Sequence, residues 1–291
     1  MKNPLKYTGL LKRYNSFDVT PLIGTEFPDT NVVELMKASN SDNLLRDLAI
    51  TTSDRGVVFF RAQTLLTDNL QKQLAHRLGV LTGKPESSSL HNHPLCDFNK
   101  EEDKNISTVT TDRAKNPAED RYKNQANRRH GARDLPKTGG DTVFASSCEI
   151  YDRISPAYRR FLEGLTITCT QGNYHKILAE KGLCSVGHHF SHVNELMATE
   201  SARLHDWLLR MVVESDDCQL RHRWRNSYDV AIWDNRSVFH RAIVDFEGIR
   251  TARRAVGIGE RPYFDPNSKT RREAIAEEGC GSPYAGCFNT Q

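Results

Sequence analysis

Two alternating segments near the carboxyl end of the chain constrain its fold more than any other feature. In the first, Val230 and Ile232 alternate with polar neighbours, which is typical of a half-buried strand that delivers a polar turn and then a histidine. In the second, Arg254 shares one face with Val256 and Ile258, so a cation lies on an otherwise apolar surface. Burying a guanidinium is costly unless an anion lies opposite it, and its planar fork suits a carboxylate. The pattern therefore predicts two strands, one of which presents an arginine to an anion.

The composition narrows the class of protein. The chain has 291 residues and a net charge of +3 with acids and bases interspersed, so we expect neither a nucleic-acid nor a membrane partner. No apolar run approaches the roughly 20 residues of a membrane span, and the start Met1-Lys-Asn-Pro lacks the apolar stretch of a secretory signal. The seven cysteines are scattered without Cys-x-x-Cys spacing, which indicates reduced thiols. These features predict a cytoplasmic enzyme and leave homo-oligomerisation open.

Length and periodicity indicate how the chain is organised. A single domain over residues 1–275 is expected, followed by a tail over residues 276–291 that contains Gly and Cys and is poorly ordered. Apolar residues recur with helical spacing in four segments. These segments end before Gly56, run from Thr67 to Gly79, open at Ser155-Pro156, and cover residues 199–214. Short strands are predicted over residues 56–60 and 220–224, so the fold class is α+β.

One histidine and two arginines form the candidate chemical centre. His240 is followed by Arg250 and Arg254. A metal-ligating histidine with a carboxylate-binding arginine about a dozen residues later is what an iron enzyme that uses 2-oxoglutarate needs. The alternative is a core histidine beside a surface ion pair, and the spacing by itself leaves both readings open.

Four other segments occur in an order that resembles a known family. They are Gly56-Val-Val-Phe-Phe-Arg-Ala-Gln, Leu90-His-Asn-His-Pro, Leu135-Pro-Lys-Thr-Gly-Gly-Asp-Thr-Val-Phe-Ala-Ser and Tyr151-Asp-Arg-Ile-Ser-Pro. Together they resemble the TauD/TfdA family of Fe(II)- and 2-oxoglutarate-dependent dioxygenases. The resemblance runs from about Tyr14 to Ala274 and is strongest to the fungal taurine/sulfonate dioxygenase branch.

The resemblance implies a fold and a reaction. The fold is a double-stranded β-helix, or jelly roll, with flanking helices. The reaction couples decarboxylation of 2-oxoglutarate, the co-substrate, to hydroxylation of a small acidic substrate by O2, with Fe(II) as the metal. In the resembled branch the substrate is a sulfonate such as taurine, and an intermediate of secondary metabolism is equally open.

The resemblance also assigns roles to individual residues. His240 matches the distal histidine that ligates iron. Thr142, Arg250 and Arg254 match the residues that hold 2-oxoglutarate, and His93 matches a residue that contacts the anionic group of the substrate. For Thr142 the alternative is a hydroxyl that caps the turn after Gly-Gly.

The segment that carries the other two iron ligands of the family, His-x-Asp, is missing. None of the eleven histidines is followed two places later by Asp or Glu. Where the family has this segment, the chain passes from Asn124-Gln-Ala-Asn-Arg-Arg to His130-Gly-Ala-Arg-Asp134, and a second gap falls between Gly182 and Cys184. We therefore expect the jelly roll to lack two core strands, which would leave sheet edges unpaired.

Three explanations of the gap stay open. The protein could be a catalytically impaired homologue that acts as a binding or partner subunit. It could use substitute ligands, of which His130 and Asp134 are the nearest, although Gly131 and the following Leu-Pro favour an exposed loop over residues 128–134. Finally, the sequence could come from a gene model that skipped coding segments.

Overall fold

The computed structural model describes residues 5–92, 103–111, 132–169, 190–260 and 264–277. Two of the predicted site residues, His93 and His130, lie outside these ranges. So do both junctions of the predicted gaps and residues 278–291 of the predicted tail. The chain divides into two compact units, one formed by residues 1–145 and 219–260, the other by residues 146–218 and 261–291. The single domain over residues 1–275 stays a prediction.

Strands and helices both occur throughout the described ranges. The strands there are β1 (Phe17–Asp18), β2 (Thr25–Phe27), β3 (Val57–Phe60), β4 (Ile106–Thr110), β5 (Ala132–Asp134), β6 (Thr142–Ser146), β7 (Ile167–Cys169), β8 (Phe190–Val193), β9 (Gln219–His222), β10 (Val230–Trp233), β11 (Val238–Ala242) and β12 (Thr251–Ala255). The α-helices are α1 (Val32–Lys37), α2 (Ser41–Arg55), α3 (Asp68–Leu81), α4 (Ser147–Asp152), α5 (Pro156–Glu163), α6 (Ala198–Glu214) and α7 (Arg271–Glu277).

The first unit is organised around β3, which is buried on both faces. Its sheets have the strand orders β1-β2-β3-β10, β11-β6-β9 and β4-β12-β5. Val58 and Phe60 pack into a cluster with the leucines of α1 and α2, whereas Phe59 packs against Phe144 of β6 and Leu220 of β9. A strand covered on both sides needs apolar residues at every position, and β3 has four in succession. The sheet that contains Thr142 and His240 therefore packs against β3.

Glycine explains where two helices of this unit end. Gly56 ends α2 with φ of 75°, and a Cβ atom there would lie 2.9 Å from Cγ2 of Val238. The predicted end of α3 at Gly79 is wrong, because the helix continues to Leu81. Glycine is tolerated inside a helix, and the residue with positive φ that closes this one is Gly83, at 82°.

The exposed loop predicted for residues 128–134 is wrong over Ala132–Asp134. These residues form β5, which pairs with β12 and places Asp134 opposite Thr251. Pairing with β12 satisfies the backbone N–H and C=O groups of these residues. A local pattern of Gly and Pro carries no information about a partner strand that is distant in sequence.

The second unit contains α4 to α7 and the pair β7-β8. The predicted helix opening at Ser155-Pro156 is confirmed, since the Ser155 hydroxyl accepts a hydrogen bond from the backbone N–H of Tyr158 and Pro156 is the first helical residue. The carboxylate of Glu149 is buried and forms ion pairs with Arg271 and Arg272 of α7. Across both units, no helix among the described residues is long and apolar enough to cross a membrane.

Candidate functional site

The hydroxyl of Thr142 is the centre of the candidate site. Thr142 is the first residue of β6, and 2% of its surface is exposed. Its Oγ1 atom accepts a hydrogen bond from Nε1 of Trp224 at 3.0 Å and from Nη2 of Arg250 at 3.4 Å. An indole N–H and a guanidinium can only donate, so both lone pairs of the hydroxyl are used. The single proton of Thr142 is therefore left to donate to a third group, and an anion is well suited to receive it.

The two glycines before Thr142 permit this arrangement. Gly139 and Gly140 have φ of 72° and 73°, values that favour glycine. A Cβ atom on Gly139 would lie 2.4 Å from the backbone oxygen of Asp245, and one on Gly140 would lie 3.2 Å from Cδ of Arg250. The Gly-Gly turn thus lets the aliphatic part of Arg250 pass close to the backbone, next to Thr142.

The two predicted co-substrate arginines lie on one face of the chain around β12. Arg250, Ala252 and Arg254 alternate, and all three are buried, with 2% of Arg250 and 6% of Arg254 exposed. The guanidinium of Arg250 also lies 5.9 Å from the ring centre of Phe246. Arg253 points the other way and pairs with Asp68 at 2.5 Å. Two guanidiniums on an interior face are suited to a ligand with carboxylate groups.

His240 lies on β11, which neighbours β6 in the same sheet. Its ring is 4.9 Å from the ring of Trp233 and 6.2 Å from the ring of Phe144. Phe144 and Thr142 are two residues apart on β6 and so share a face. The Nε2 atom of His240 is buried. The structure therefore places His240 in the same sheet as Thr142, with an aromatic ring of that face against it.

The sequence did not predict the group of residues that pack around Thr142. His222 lies opposite Thr142 in the pairing of β6 with β9, and its ring stacks on Phe59 with centres 3.8 Å apart. Trp224 meets the same imidazole edge-on at 4.8 Å. The alternation of Leu220, His222 and Trp224 could have shown that both rings lie on one side of the chain, because residues two apart in an extended segment point the same way.

Arg61 is a further member of this group, because it lies beside His222. It lies within the motif at residues 56–63 and forms ion pairs with Glu26 at 2.6 Å and Asp229 at 2.8 Å. Its Nη1 atom lies 3.4 Å from Nε2 of His222, and because a guanidinium only donates, Nε2 is the unprotonated nitrogen. Burial, and then the charge of Arg61, lower the pKa of His222 to about 3. His222 is therefore neutral at physiological pH.

This neutral histidine predicts how stability depends on pH. The unfolded chain binds a proton at His222 near pH 6.5 and the folded chain near pH 3, so stability from this group is present above pH 6.5 and lost as pH falls toward 3. Urea unfolding should show that the wild type loses about 1.6 kcal/mol more than His222→Gln between pH 6.5 and pH 5. The exposed His76 gives the control, and His76→Gln should keep the full loss. Equal losses in wild type and His222→Gln would mean that His222 titrates normally in the fold.

The described residues fit the co-substrate better than they fit iron. Among them, no group of three His, Cys, Asp or Glu side chains is placed to hold a metal ion, and His240 would supply one ligand. Asp134 lies on β5, paired with β12, while His130 and His93 fall outside the described ranges. The roles of these three residues stay predictions.

Comparisons with known proteins agree with the motifs. The family model described as "Taurine catabolism dioxygenase TauD, TfdA family" matches residues 15–177 and 173–256. The chain is 42% identical to the alpha-ketoglutarate-dependent dioxygenase esdpJ of Penicillium shearii, over 95% of this chain and 97% of that protein. It is 38% identical to oryG of Aspergillus oryzae, a dioxygenase of the same description, over 94% of this chain and 96% of that protein. The alpha-ketoglutarate-dependent sulfonate dioxygenase of Saccharomyces cerevisiae is 28% identical, over 85% of this chain and 67% of that protein.

The Penicillium relative is longer within the matched region. Its alignment has 365 positions, whereas the present chain has 291 residues, so at least 74 residues of the relative have no counterpart here. The two family-model matches also meet at residues 173–177, close to the second predicted gap. Loss of whole segments agrees with both observations.

Solved structures show the fold. A taurine dioxygenase from Burkholderia xenovorans matches with a TM-score of 0.58 and 18% identity, over 84% of this chain and 91% of that one. AAD-2 in complex with Mn(II) and N-oxalylglycine matches with a TM-score of 0.62 and 14% identity, over 86% and 99%. The predicted α+β jelly-roll class is confirmed.

These findings confirm the predicted enzyme class, with its small-molecule substrate, O2, Fe(II) and 2-oxoglutarate, and they do not favour the non-catalytic alternative. The chain belongs to the TauD/TfdA family of Fe(II)- and 2-oxoglutarate-dependent dioxygenases.

Proposed function

We propose that Thr142, Arg250 and Arg254 hold 2-oxoglutarate, that His240 supplies one iron ligand, and that the enzyme hydroxylates a small acidic substrate. When bound, Fe(II) supplies the activation of O2 and the oxidation, while the residues of the chain bind and orient the reactants. His93 is proposed to contact the anionic group of the substrate. The substrate is a sulfonate of the taurine type or an acidic intermediate of secondary metabolism.

One observation carries the co-substrate assignment. The Thr142 hydroxyl accepts from two obligate donors, Trp224 and Arg250, so its proton is directed at a third group. A carboxylate that takes this proton can accept from the Arg250 guanidinium as well, and charge-assisted bonds of this kind are the strong ones. Both groups are at most 2% exposed, so water competes weakly for the carboxylate.

Trp224→Phe tests the orientation of Thr142. The change removes the Nε1 donor and keeps an aromatic ring, so the Thr142 hydroxyl loses one of the two contacts that fix it. We expect the dissociation constant for 2-oxoglutarate to rise about 5-fold in calorimetric titration, since one hydrogen bond contributes about 1 kcal/mol. Trp207 on α6 belongs to the other unit, and Trp207→Phe should bind as the wild type does. Equal affinities for Trp224→Phe and wild type would refute the orienting role.

The substrate class is proposed from relatives and from the resembled branch. The Saccharomyces cerevisiae relative is named a sulfonate dioxygenase, and the Penicillium and Aspergillus relatives are named only by their co-substrate. Anionic substrates are also consistent with the His93 assignment, because an imidazole can donate to a sulfonate or a carboxylate.

The proposed reaction is tested by succinate release. The longer chain, in which the missing His-x-Asp segment is restored, should after reconstitution with Fe(II) release succinate faster in the presence of at least one member of a panel of sulfonates, amino acids and other small acids. Arg250→Leu should abolish this release for every member of the panel. Release that is stimulated only by neutral or cationic compounds would contradict the acidic substrate class.

A further inference from the structure

A cavity lies beside the candidate co-substrate site. It has a volume of about 490 Å³ and is lined by residues 135–139 together with Arg223, Trp224, Arg225 and Ser227. The two segments belong to the same unit: residues 135–139 precede β6, and residues 223–227 follow β9, its antiparallel partner. The cavity therefore lies at the end of the strand pair where Thr142 and His222 are paired.

The lining of this cavity is strongly basic. Lys137, Arg223 and Arg225 contribute three cations, and no carboxylate belongs to the lining. Within the described part of the chain, none of the three head groups forms an ion pair. Two exposed arginines nearby in the sequence are neutralised instead: Arg221 pairs with Asp141 at 2.6 Å, and Arg236 pairs with Asp234 at 2.8 Å. The cavity lining thus carries three cations that no carboxylate among the described residues neutralises.

The nearest acidic residue of the same turn does not neutralise these cations. Asp229 is 1% exposed and pairs with Arg61, and it accepts hydrogen bonds from the backbone N–H groups of Ala62, Arg225 and Asn226. Its charge is therefore already compensated inside the protein. A concave surface with charges of one sign concentrates anions from solution.

The cavity adjoins the Thr142 hydroxyl through one side chain. Trp224 lines the cavity and donates from Nε1 to Oγ1 of Thr142. Gly139 also lines it and directly precedes Gly140, the residue against which the Arg250 side chain lies. The indole of Trp224 thus lies between an anion in the cavity and the side chain of Thr142, to which Arg250 also donates.

We propose that Lys137, Arg223 and Arg225 form a basic vestibule that captures the 2-oxoglutarate dianion before it reaches Thr142 and Arg250. This inference rests on the proposed co-substrate site. Exposed charges around an entrance act mainly on the association rate, and their effect falls with ionic strength. Contacts in the buried site instead govern how slowly the ligand leaves. The vestibule and the site therefore have different kinetic signatures.

The test combines stopped-flow tryptophan fluorescence with 2-oxoglutarate as the probe. The variant Lys137→Gln/Arg223→Gln/Arg225→Gln removes the vestibule charges. Its matched control, Lys12→Gln/Arg13→Gln/Lys37→Gln, removes three exposed cations that do not line the cavity. At low salt we expect the vestibule variant to bind about 10-fold more slowly than wild type, with the dissociation rate little changed. The control should change the association rate less than 2-fold, and in 1 M salt, where the Debye length is about 3 Å, all three proteins should bind alike.

The outcomes distinguish failure of the proposed vestibule from failure of the proposed co-substrate site. A vestibule variant that binds as fast as the control variant at low salt would overturn the inference and leave the co-substrate site intact. The same charge change is also made in an Arg250→Leu background. Weak, salt-sensitive binding of 2-oxoglutarate that persists in Arg250→Leu and disappears when the vestibule charges are removed would support the vestibule. Full-affinity binding in Arg250→Leu would instead refute the co-substrate site.

Discussion

Replacing Arg250 with Leu is expected to weaken 2-oxoglutarate binding by about 100-fold or more. The guanidinium is 2% exposed and donates to the hydroxyl of Thr142, so a carboxylate bound there would lose its buried cationic partner. Truncating one member of a buried, hydrogen-bonded charge pair costs about 2–5 kcal/mol, which is roughly 30-fold to several thousand-fold in affinity. Calorimetric titration with 2-oxoglutarate measures the effect directly.

The chain itself offers a matched control for this substitution. Arg253 lies on the same strand, points away from Arg250 and pairs with Asp68 and Thr108. Arg253→Leu removes a partly buried cation from β12 without touching the candidate site, so it should bind 2-oxoglutarate as the wild type does. Thr142→Val keeps the shape of the side chain and removes the hydroxyl, and we expect an intermediate loss of affinity. Comparable losses for Arg250→Leu and Arg253→Leu would indicate damage to the fold and would contradict the assignment.

The second large effect concerns iron. We predict that the transcript encodes additional residues across the codons for Arg129 and His130 and between Gly182 and Ser185, including a His-x-Asp before Leu135. The Penicillium relative has at least 74 residues with no counterpart in the present chain, which supports missing segments. Even outer partners of a metal ligand contribute 10–100-fold to affinity, so two absent ligands should weaken iron binding by more than about 100-fold.

Iron content after anaerobic reconstitution and desalting measures this effect. The longer chain should retain one Fe(II) per molecule, and the 291-residue chain should retain almost none. The longer chain with Ala in place of both residues of the His-x-Asp separates loss of ligands from loss of folding, because it keeps the restored strand. Tight, stoichiometric iron in the 291-residue chain would contradict the prediction and would point to His130 and Asp134 as substitute ligands. His130→Ala/Asp134→Ala should then release the metal.

Local patterns predicted the elements of the site better than its internal contacts. Period-two alternation predicts a strand through Val230 and Ile232, and this strand is confirmed as β10. It also predicts a strand through Arg254, Val256 and Ile258, but β12 carries only Arg254 of these three, because it runs from Thr251 to Ala255. The limit of α2 at Gly56 followed from a single glycine whose φ is 75°. These features depend on residues close in sequence, which is why local reasoning reaches them.

The residues that pack around Thr142 are far apart in sequence. Arg61 is 161 positions from His222, and Thr142 is 82 positions from Trp224. Alternation placed His222 and Trp224 on one strand, but it gave no information about the strand opposite. The neutral state of His222 follows from burial against Phe59 and from the charge of Arg61, and both are properties of the folded chain. The same holds for β5, whose pairing with β12 overrides a local pattern of Gly and Pro.

The most direct test of the co-substrate site is a crystal structure of the enzyme with N-oxalylglycine, a dicarboxylate analogue of 2-oxoglutarate. We predict that one carboxylate of the analogue accepts hydrogen bonds from Oγ1 of Thr142 and from the guanidinium of Arg250, each within about 3.2 Å. Trp224 should keep its hydrogen bond to Thr142 in that complex. An analogue bound with both carboxylates away from Thr142 and Arg250 would contradict the assignment.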